Sequence, residues 1–163
     1  MAPQARRHGA DRRRSAWLVR TQGLARPPRL PHQRQRSLPN WALLVETGRF
    51  PARGDYVVFA PGHDLLVIKH FGADPKPFAK ITYGVPGDVV TRTGDAVQVN
   101  GKTIAHLKPK THQGEDLVPG PLGTIPPGCI YAGSPHKDGF DSRYAAIGFV
   151  CRDRLIGIGT PIL

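Results

Sequence analysis

The sequence predicts a mainly β domain of short antiparallel strands, and two observations lead to this prediction. Gly and Pro together make up about 22% of the 163 residues, roughly twice their ordinary usage. Both residues are unfavourable inside helices and common in turns. In addition, short apolar runs alternate with turn signals from residue 55 to the C-terminus, which is typical of successive strands rather than of a helical bundle.

The predicted strands follow one another along the chain and are separated by recognisable turns. The first strand comes directly after the turn-like segment 51–54. Gly94-Asp95 and Asn100-Gly101 have the composition of tight hairpin turns. Residues 106–124 are polar and rich in Gly and Pro, so we predict a loop there. The predicted strands are 55–60, 65–70, 78–83, 89–92, 96–99, 102–105, 129–132, 146–151 and 155–158.

The positive charge of the chain is concentrated in its first 36 residues. This segment holds ten Arg, no Lys and one acidic residue, Asp11, whereas residues 37–163 are almost balanced in charge. The segment also lacks a hydrophobic period, so we predict a disordered leading segment, 1–36, and a folded domain, 37–163. We expect the leading segment to be coding sequence read from a wrong start or across a frameshift.

A β domain that contacts nucleic acid or anionic lipid through this basic arm is one alternative function. The aromatic residues and motifs of nucleic-acid-binding folds do not accompany the charge, so nucleic acid is not an expected partner. The chain has no run of 18 or more apolar residues, and we therefore do not expect it to encode a membrane-spanning helix.

The two cysteines, Cys129 and Cys151, are 22 residues apart. Neither has a Cys or His at metal-site spacing, so no zinc site is expected. The spacing alone leaves open one disulfide or two buried thiols. We predict that the two residues face each other on paired strands and form a disulfide in an oxidising compartment.

A lysine in an apolar strand and an upstream serine are the residues that could carry chemistry. Lys80 lies between Ala79 and Ile81; burial there would lower its pKa and make the neutral amine available as a base. A serine hydroxyl needs such a base to become a nucleophile at neutral pH. Ser37 is the candidate, because Pro39 restricts the backbone beside it.

Three motifs occur together in the order of a known family. The segment 79–88, AKITYGVPGD, resembles the lysine box of signal peptidase I, and 140–144, FDSRY, resembles the C-terminal box of the same enzymes. The segment 36–59, RSLPNWALLVETGRFPARGDYVVF, resembles the nucleophile segment of TraF-type conjugative transfer peptidases. The resemblance covers about residues 37–163 and points to the signal peptidase I superfamily of serine–lysine peptidases.

The resemblance implies a signal-peptidase-like fold, with a small β excursion between the lysine box and the C-terminal box. It makes Ser37 the nucleophile and Lys80 the general base. Ser37 and Gln35 would donate to the oxyanion, and the C-terminal box would support the lysine through an Asp141–Arg143 ion pair and Ser142. The family often has a hydroxyl residue two positions before the aspartate, where this chain has Gly139.

The expected substrate is an exported precursor with small residues before the cut, such as a conjugative pilin, processed at the inner membrane on its periplasmic face. No metal or cofactor is expected. An inactive or truncated relative of the peptidase is a second alternative, and a self-cleaving repressor-type peptidase is a third, although the first 36 residues show no helix-turn-helix pattern.

Overall fold

The computed structural model describes residues 42–162. In this part of the chain, strands predominate and the only helix has seven residues. The elements in chain order are β1 Leu43–Glu46, β2 Tyr56–Phe59, α1 Leu65–Phe71, β3 Phe78–Gly84, β4 Val89–Thr93, β5 Ala96–Val99, β6 Lys102–His106, β7 Gly123–Thr124, β8 Cys129–Gly133, β9 Val150–Cys151 and β10 Leu155–Pro161.

The strands form two sheets in which neighbouring strands are antiparallel. The larger sheet has the order β1-β10-β2-β3-β8-β9, and the smaller one has the order β6-β5-β4-β7. The smaller sheet is built from the chain between β3 and β8, so it is an excursion from the larger one. The predicted mainly β fold of short antiparallel strands is therefore confirmed.

Each sheet is packed on its own cluster of buried side chains. β3 lies inside the larger sheet, and its residues alternate between buried and half-buried positions, as expected for a strand with one face in the core. The core of the larger sheet includes Val57, Phe59, Phe78, Ile130, Ala132 and Val150. The core of the smaller sheet includes Val90, Val97, Val99, Ile125 and Tyr131.

The prediction of a strand over residues 65–70 is wrong, because this segment forms the helix α1. The Asp64 side chain accepts a hydrogen bond from the Leu66 N–H at 2.9 Å and caps the first turn. Gly72, with φ 89°, ends the helix in a conformation that favours glycine. Only Val67 of the helix is buried, so one contact with the core and the two ends decide the structure of this short segment.

The strand predicted over 146–151 is shorter in the structure and contains only Val150–Cys151. The preceding residues instead turn around Tyr144, whose carbonyl accepts hydrogen bonds from the N–H groups of Ile147 and Gly148. These bonds to a nearby carbonyl take the place of a strand ladder in this segment.

The predicted pairing of the cysteines is confirmed. Cys129 and Cys151 are directly opposite each other on β8 and β9. Their sulfur atoms lie 2.02 Å apart and their Cα atoms 3.9 Å apart, so the two strands are joined by a disulfide.

Candidate active site

Lys80 is carried by the interior strand β3 and is almost completely buried, with 3% of its surface exposed. It pairs with Val57 on β2, and its Nζ lies 5.7 Å from the centre of the Phe78 ring. The predicted burial of this lysine among apolar neighbours is confirmed. Within residues 42–162, the structure shows no hydrogen-bond acceptor for its Nζ.

The pKa of Lys80 is held below its ordinary value. Burial is the largest cause, because removing water destabilises the ammonium form. The negative charge of Asp141 acts in the opposite direction and raises the pKa, whereas the positive charge of Arg143 lowers it. The lysine is therefore closer to a neutral base than an exposed lysine would be.

Asp141 and Arg143 form the ion pair that the resemblance implies. Arg143 Nε lies 2.8 Å from Asp141 Oδ1, and Arg143 Nη2 lies 3.0 Å from Asp141 Oδ2. The side chains are 0% and 1% exposed for the aspartate and the arginine. Two parallel contacts of this kind orient a carboxylate more strictly than a single contact does.

Ser142 attaches the loop that contains this ion pair to β8. Its Oγ accepts a hydrogen bond from the Ala132 N–H at 3.0 Å, and its own N–H donates to the Ala132 carbonyl at 3.0 Å. Ala132 is opposite Thr82 on β3. The loop is consequently fixed to the strand next to the one that carries Lys80.

Ser134 completes the arrangement and was missed from the sequence. Its N–H and its Oγ both donate to Asp141 Oδ2, at 3.0 and 3.3 Å, and its carbonyl accepts from Arg143 Nη2 at 2.8 Å. A Cβ atom on Gly139 would lie 2.3 Å from Ser134 Oγ. The glycine at 139, where the family pattern often has a hydroxyl residue, was the one sequence signal that could have directed attention to a second hydroxyl nearby.

Asp88, the last residue of the lysine box, stabilises the turn at the end of β3 together with Arg53. Arg53 donates to the Tyr83 carbonyl at 2.6 Å and to Asp88 at 2.5 Å. Asp88 also accepts from the Val85 N–H at 2.7 Å and from the Asn100 side-chain amide at 2.8 Å. The arginine of the segment 53–55 and the aspartate of the lysine box therefore have structural contacts with each other.

Gly84 of the lysine box is required by close packing. A Cβ atom at this position would lie 2.5 Å from Ile125 Cδ1 and 3.2 Å from Tyr131 Cβ. These neighbours belong to the core of the smaller sheet, so the glycine allows β3 to pass directly against that core.

Two of the predicted site residues, Ser37 and Gln35, lie outside the described residues, as does the predicted boundary between residues 36 and 37. Within residues 42–162, no group of three or more His, Cys, Asp or Glu residues could hold a metal ion. The same described residues contain no helix that is long and apolar enough to span a membrane.

Comparison with known proteins places these features in one family. The sequence model of the family "signal peptidase, peptidase S26" matches residues 25–162. The chain belongs to this family. The family predicted from the motifs is thus confirmed, whereas the closer relation to TraF-type peptidases stays a prediction.

Individual relatives match over shorter segments. Signal peptidase I of Rickettsia typhi and that of Rickettsia prowazekii are each 35% identical to this chain over 68 residues, which is 42% of this chain and 22% of each relative. The match therefore spans about a fifth of the length of these curated relatives. A signal peptidase I structure from Enterococcus faecalis V583 is 22% identical, with a TM-score of 0.41, and the match covers 69% of this chain and 98% of that chain.

Proposed function

We propose that this chain is a serine endopeptidase in which Lys80 is the general base and Ser37 is the nucleophile. The observation that supports the proposal most directly is the buried Lys80 with a lowered pKa. A buried lysine without a carboxylate hydrogen-bonded to it is costly to keep for structure alone. Such a lysine is well suited to removing a proton from a hydroxyl group near neutral pH.

In the proposed reaction, the neutral Lys80 amine takes the proton of the Ser37 hydroxyl as its oxygen attacks the scissile carbonyl carbon. The Ser37 N–H and the Gln35 amide donate hydrogen bonds to the oxyanion that forms. The Lys80 ammonium then returns its proton to the leaving amine, and an acyl-enzyme remains on Ser37. A water molecule, deprotonated by Lys80, hydrolyses this ester and regenerates both residues.

The Asp141–Arg143 pair gives the base its polar surroundings without fixing it as an ammonium ion. An unpaired carboxylate close to Lys80 would stabilise the charged form and raise the lysine pKa. Here the charge of Asp141 is balanced by a guanidinium hydrogen-bonded to both of its oxygens. The opposing effects of the two charges leave burial as the dominant influence on Lys80.

The substrates proposed for this enzyme are exported precursor proteins with small residues before the cut, conjugative pilins among them. Membership of the signal peptidase family supports this substrate class. The Cys129–Cys151 disulfide supports action outside the reducing cytoplasm, in agreement with an inner-membrane site that faces the periplasm.

An acylating active-site probe tests the proposed function directly. The full chain is incubated in detergent micelles with the probe, and the labelled residue is identified by peptide mass spectrometry. We expect one acyl group on Ser37, and no label in the Ser37→Ala or Lys80→Ala variants. A folded chain that acquires no label, and that does not cleave a precursor peptide, would instead be the inactive relative.

A further inference from the structure

We propose that Phe71, the last residue of α1, is a positioning residue for the candidate site: its ring shields the apolar neighbour of Lys80 from water and joins the lysine strand to the loop of Asp141. This proposal rests on the proposed function for the role of Lys80 as a base. Its effect on the lysine can be measured without any assay of peptidase activity.

Phe78 is the apolar neighbour through which Phe71 acts on Lys80. Phe78 and Lys80 are two positions apart on the buried face of β3, and the Lys80 Nζ lies 5.7 Å from the centre of the Phe78 ring. Phe59, which is opposite Phe78 on β2, packs against the same ring with the centroids 6.1 Å apart. Both aromatic side chains are buried, so the lysine has apolar surroundings only as long as Phe78 stays covered.

Phe71 covers the Phe78 ring from α1. The two ring centroids are 4.8 Å apart and the rings meet edge to face, which is a favourable arrangement for an aromatic pair. Phe71 is half-buried, whereas only 2% of Phe78 is exposed. Phe71 therefore belongs to the layer that separates Phe78 from solvent.

Phe71 also contacts the loop that carries the ion pair. Its ring centroid lies 5.8 Å from that of Phe140, the residue directly before Asp141. One side chain of α1 thus packs against an aromatic neighbour of each half of the candidate site, Phe78 on the side of Lys80 and Phe140 on the side of Asp141.

Contacts on two sides hold α1 where Phe71 can do this. Val67 is buried in the core of the larger sheet. Glu115, in the segment between β6 and β7, lies 2.6 Å from the Lys69 Nζ and 3.3 Å from the His70 Nε2. A helix of seven residues has little stability of its own, so these contacts determine the position of the Phe71 ring.

The exclusion of water matters because the charges around Lys80 oppose each other. Within the described residues, the charged groups that act on its pKa are Asp141, which raises it, and Arg143, which lowers it, and burial is a larger cause than either. Its neighbour on β2, Val57, contributes no charge. The lowered pKa of Lys80 therefore depends mainly on the side chains that keep water away.

The test compares the full chain with its Phe71→Ala variant. The Lys80 pKa is measured by NMR titration of lysine labelled with ¹³C at Cε, assigned by the loss of one signal in Lys80→Ala. Loss of the ring admits water beside Phe78 and stabilises the ammonium form, so the Lys80 pKa should rise. The acidic limb of the pH–rate profile should move to higher pH with it, and a rise of about one pKa unit lowers the rate at pH 7 about tenfold.

Val67→Ala is the matched control, since it shortens another buried apolar side chain of α1 in the same core. We expect it to lower the melting temperature without moving the Lys80 pKa. Phe71→Leu keeps most of the apolar volume against Phe78 and should keep the wild-type pKa. An unchanged Lys80 pKa in Phe71→Ala overturns the proposal, and so does an equal rise in Val67→Ala.

Phe71→Val decides the question if Phe71→Ala does not fold, because valine keeps an apolar side chain on the helix but loses the contacts of the ring. A rise of the Lys80 pKa supports the proposal, and a wild-type pKa rejects it. Failure of the proposed function has a different signature: Ser37→Ala would keep its turnover, whatever the effect of the Phe71 variants on the Lys80 pKa.

Discussion

At the scale of single residues, the chemistry of Lys80 follows from the position of its Nζ rather than from the residue type. An exposed lysine is charged at neutral pH and cannot act as a base. Lys80 is buried on an interior strand. The charges of Asp141 and Arg143 act on its pKa in opposite directions. The same side chain on the other face of β3, where the residues are only half-buried, would keep more contact with water.

Replacement of Lys80 by arginine should abolish turnover, by at least about a thousandfold, because a guanidinium stays protonated at every working pH. In the wild-type enzyme, activity should rise with pH. The folded-state pKa is lowered, so the neutral amine accumulates at a lower pH than for an exposed lysine. Initial rates of precursor-peptide cleavage between about pH 6 and 10 measure both effects. Wild-type turnover in Lys80→Arg would exclude Lys80 as the base.

Thr82→Val should stabilise the domain by about 1 kcal/mol. Thr82 is completely buried on the same face of β3 as Lys80, and its Oγ1 has no hydrogen-bond partner in the described part of the chain. Valine has nearly the same shape and removes an unpaired hydroxyl, whose burial is unfavourable. Urea unfolding of the wild type and of Thr82→Val measures the change in the free energy of unfolding. Thr103→Val, on an exposed position of β6, should change stability by less than about 0.5 kcal/mol.

At the scale of elements, β3 is held at its C-terminal end by the network around Asp88. This carboxylate joins the turn at Arg53, the turn after β3 and Asn100 between β5 and β6. Three segments that are distant in sequence therefore converge on one side chain. The network fixes where the strand that carries Lys80 ends and where the smaller sheet begins.

Asp88→Asn should lower the free energy of unfolding by about 2 kcal/mol, because an amide cannot accept all the hydrogen bonds of the carboxylate. Burial alone would raise the Asp88 pKa, but the hydrogen bonds from Val85, Asn100 and Arg53 lower it overall. The contribution of the Asp88 carboxylate to the free energy of unfolding is therefore fully present above the ordinary aspartate pKa. It is lost as the pH falls through the lowered pKa of the folded state.

Denaturant unfolding at pH 7 and at about pH 3 measures this contribution, and the difference between wild type and Asp88→Asn should shrink at the lower pH. Asp74→Asn is the control, since that side chain is 98% exposed and its contact with Lys76 is 3.8 Å long. Exposed ion pairs of this kind contribute little to the free energy of unfolding. Equal effects of the two substitutions would contradict the role of the network.

At the scale of the whole described fold, Arg143 links the two sheets. Besides Asp141, its guanidinium donates to the carbonyl of His106 at the end of β6, at 3.3 Å, and its own carbonyl accepts from the Gly120 N–H at 2.7 Å. The candidate site is thus attached both to the larger sheet and to the excursion. Disturbing either attachment is expected to move the ion pair relative to Lys80.

The disulfide is expected to stabilise the fold by about 3 kcal/mol, because it closes a chain segment of 22 residues that includes the loop with Asp141 and Arg143. Thermal unfolding with and without a reducing agent measures this, with the Cys129→Ala, Cys151→Ala double variant as the control. The reduced wild type and the double variant should show similar melting temperatures. A melting temperature unaffected by reduction would show that the bond has no stabilising role.

The strands between residues 78 and 106 could be predicted well from the sequence, because alternation of apolar residues and two-residue turns are local signals. The segment 65–71 could not, since seven largely apolar residues are too few to separate a helix period from a strand. Asp64, Gly72 and the contact of Val67 with the core decided its structure. The motifs indicated Lys80, Asp141 and Arg143, because those residue types are recognisable in order along the chain.

What the sequence by itself determined is therefore the fold class, the family and the residues that carry charge at the candidate site. Only the tertiary structure decided which groups surround the buried Lys80 and that Asp141 is shared between Arg143 and Ser134. The physical reason is that a pKa depends on burial and on the distance to other charges. Both are set by the pairing of β3 with β8, which joins residues about fifty positions apart in the chain, and by the loop packed beside these strands.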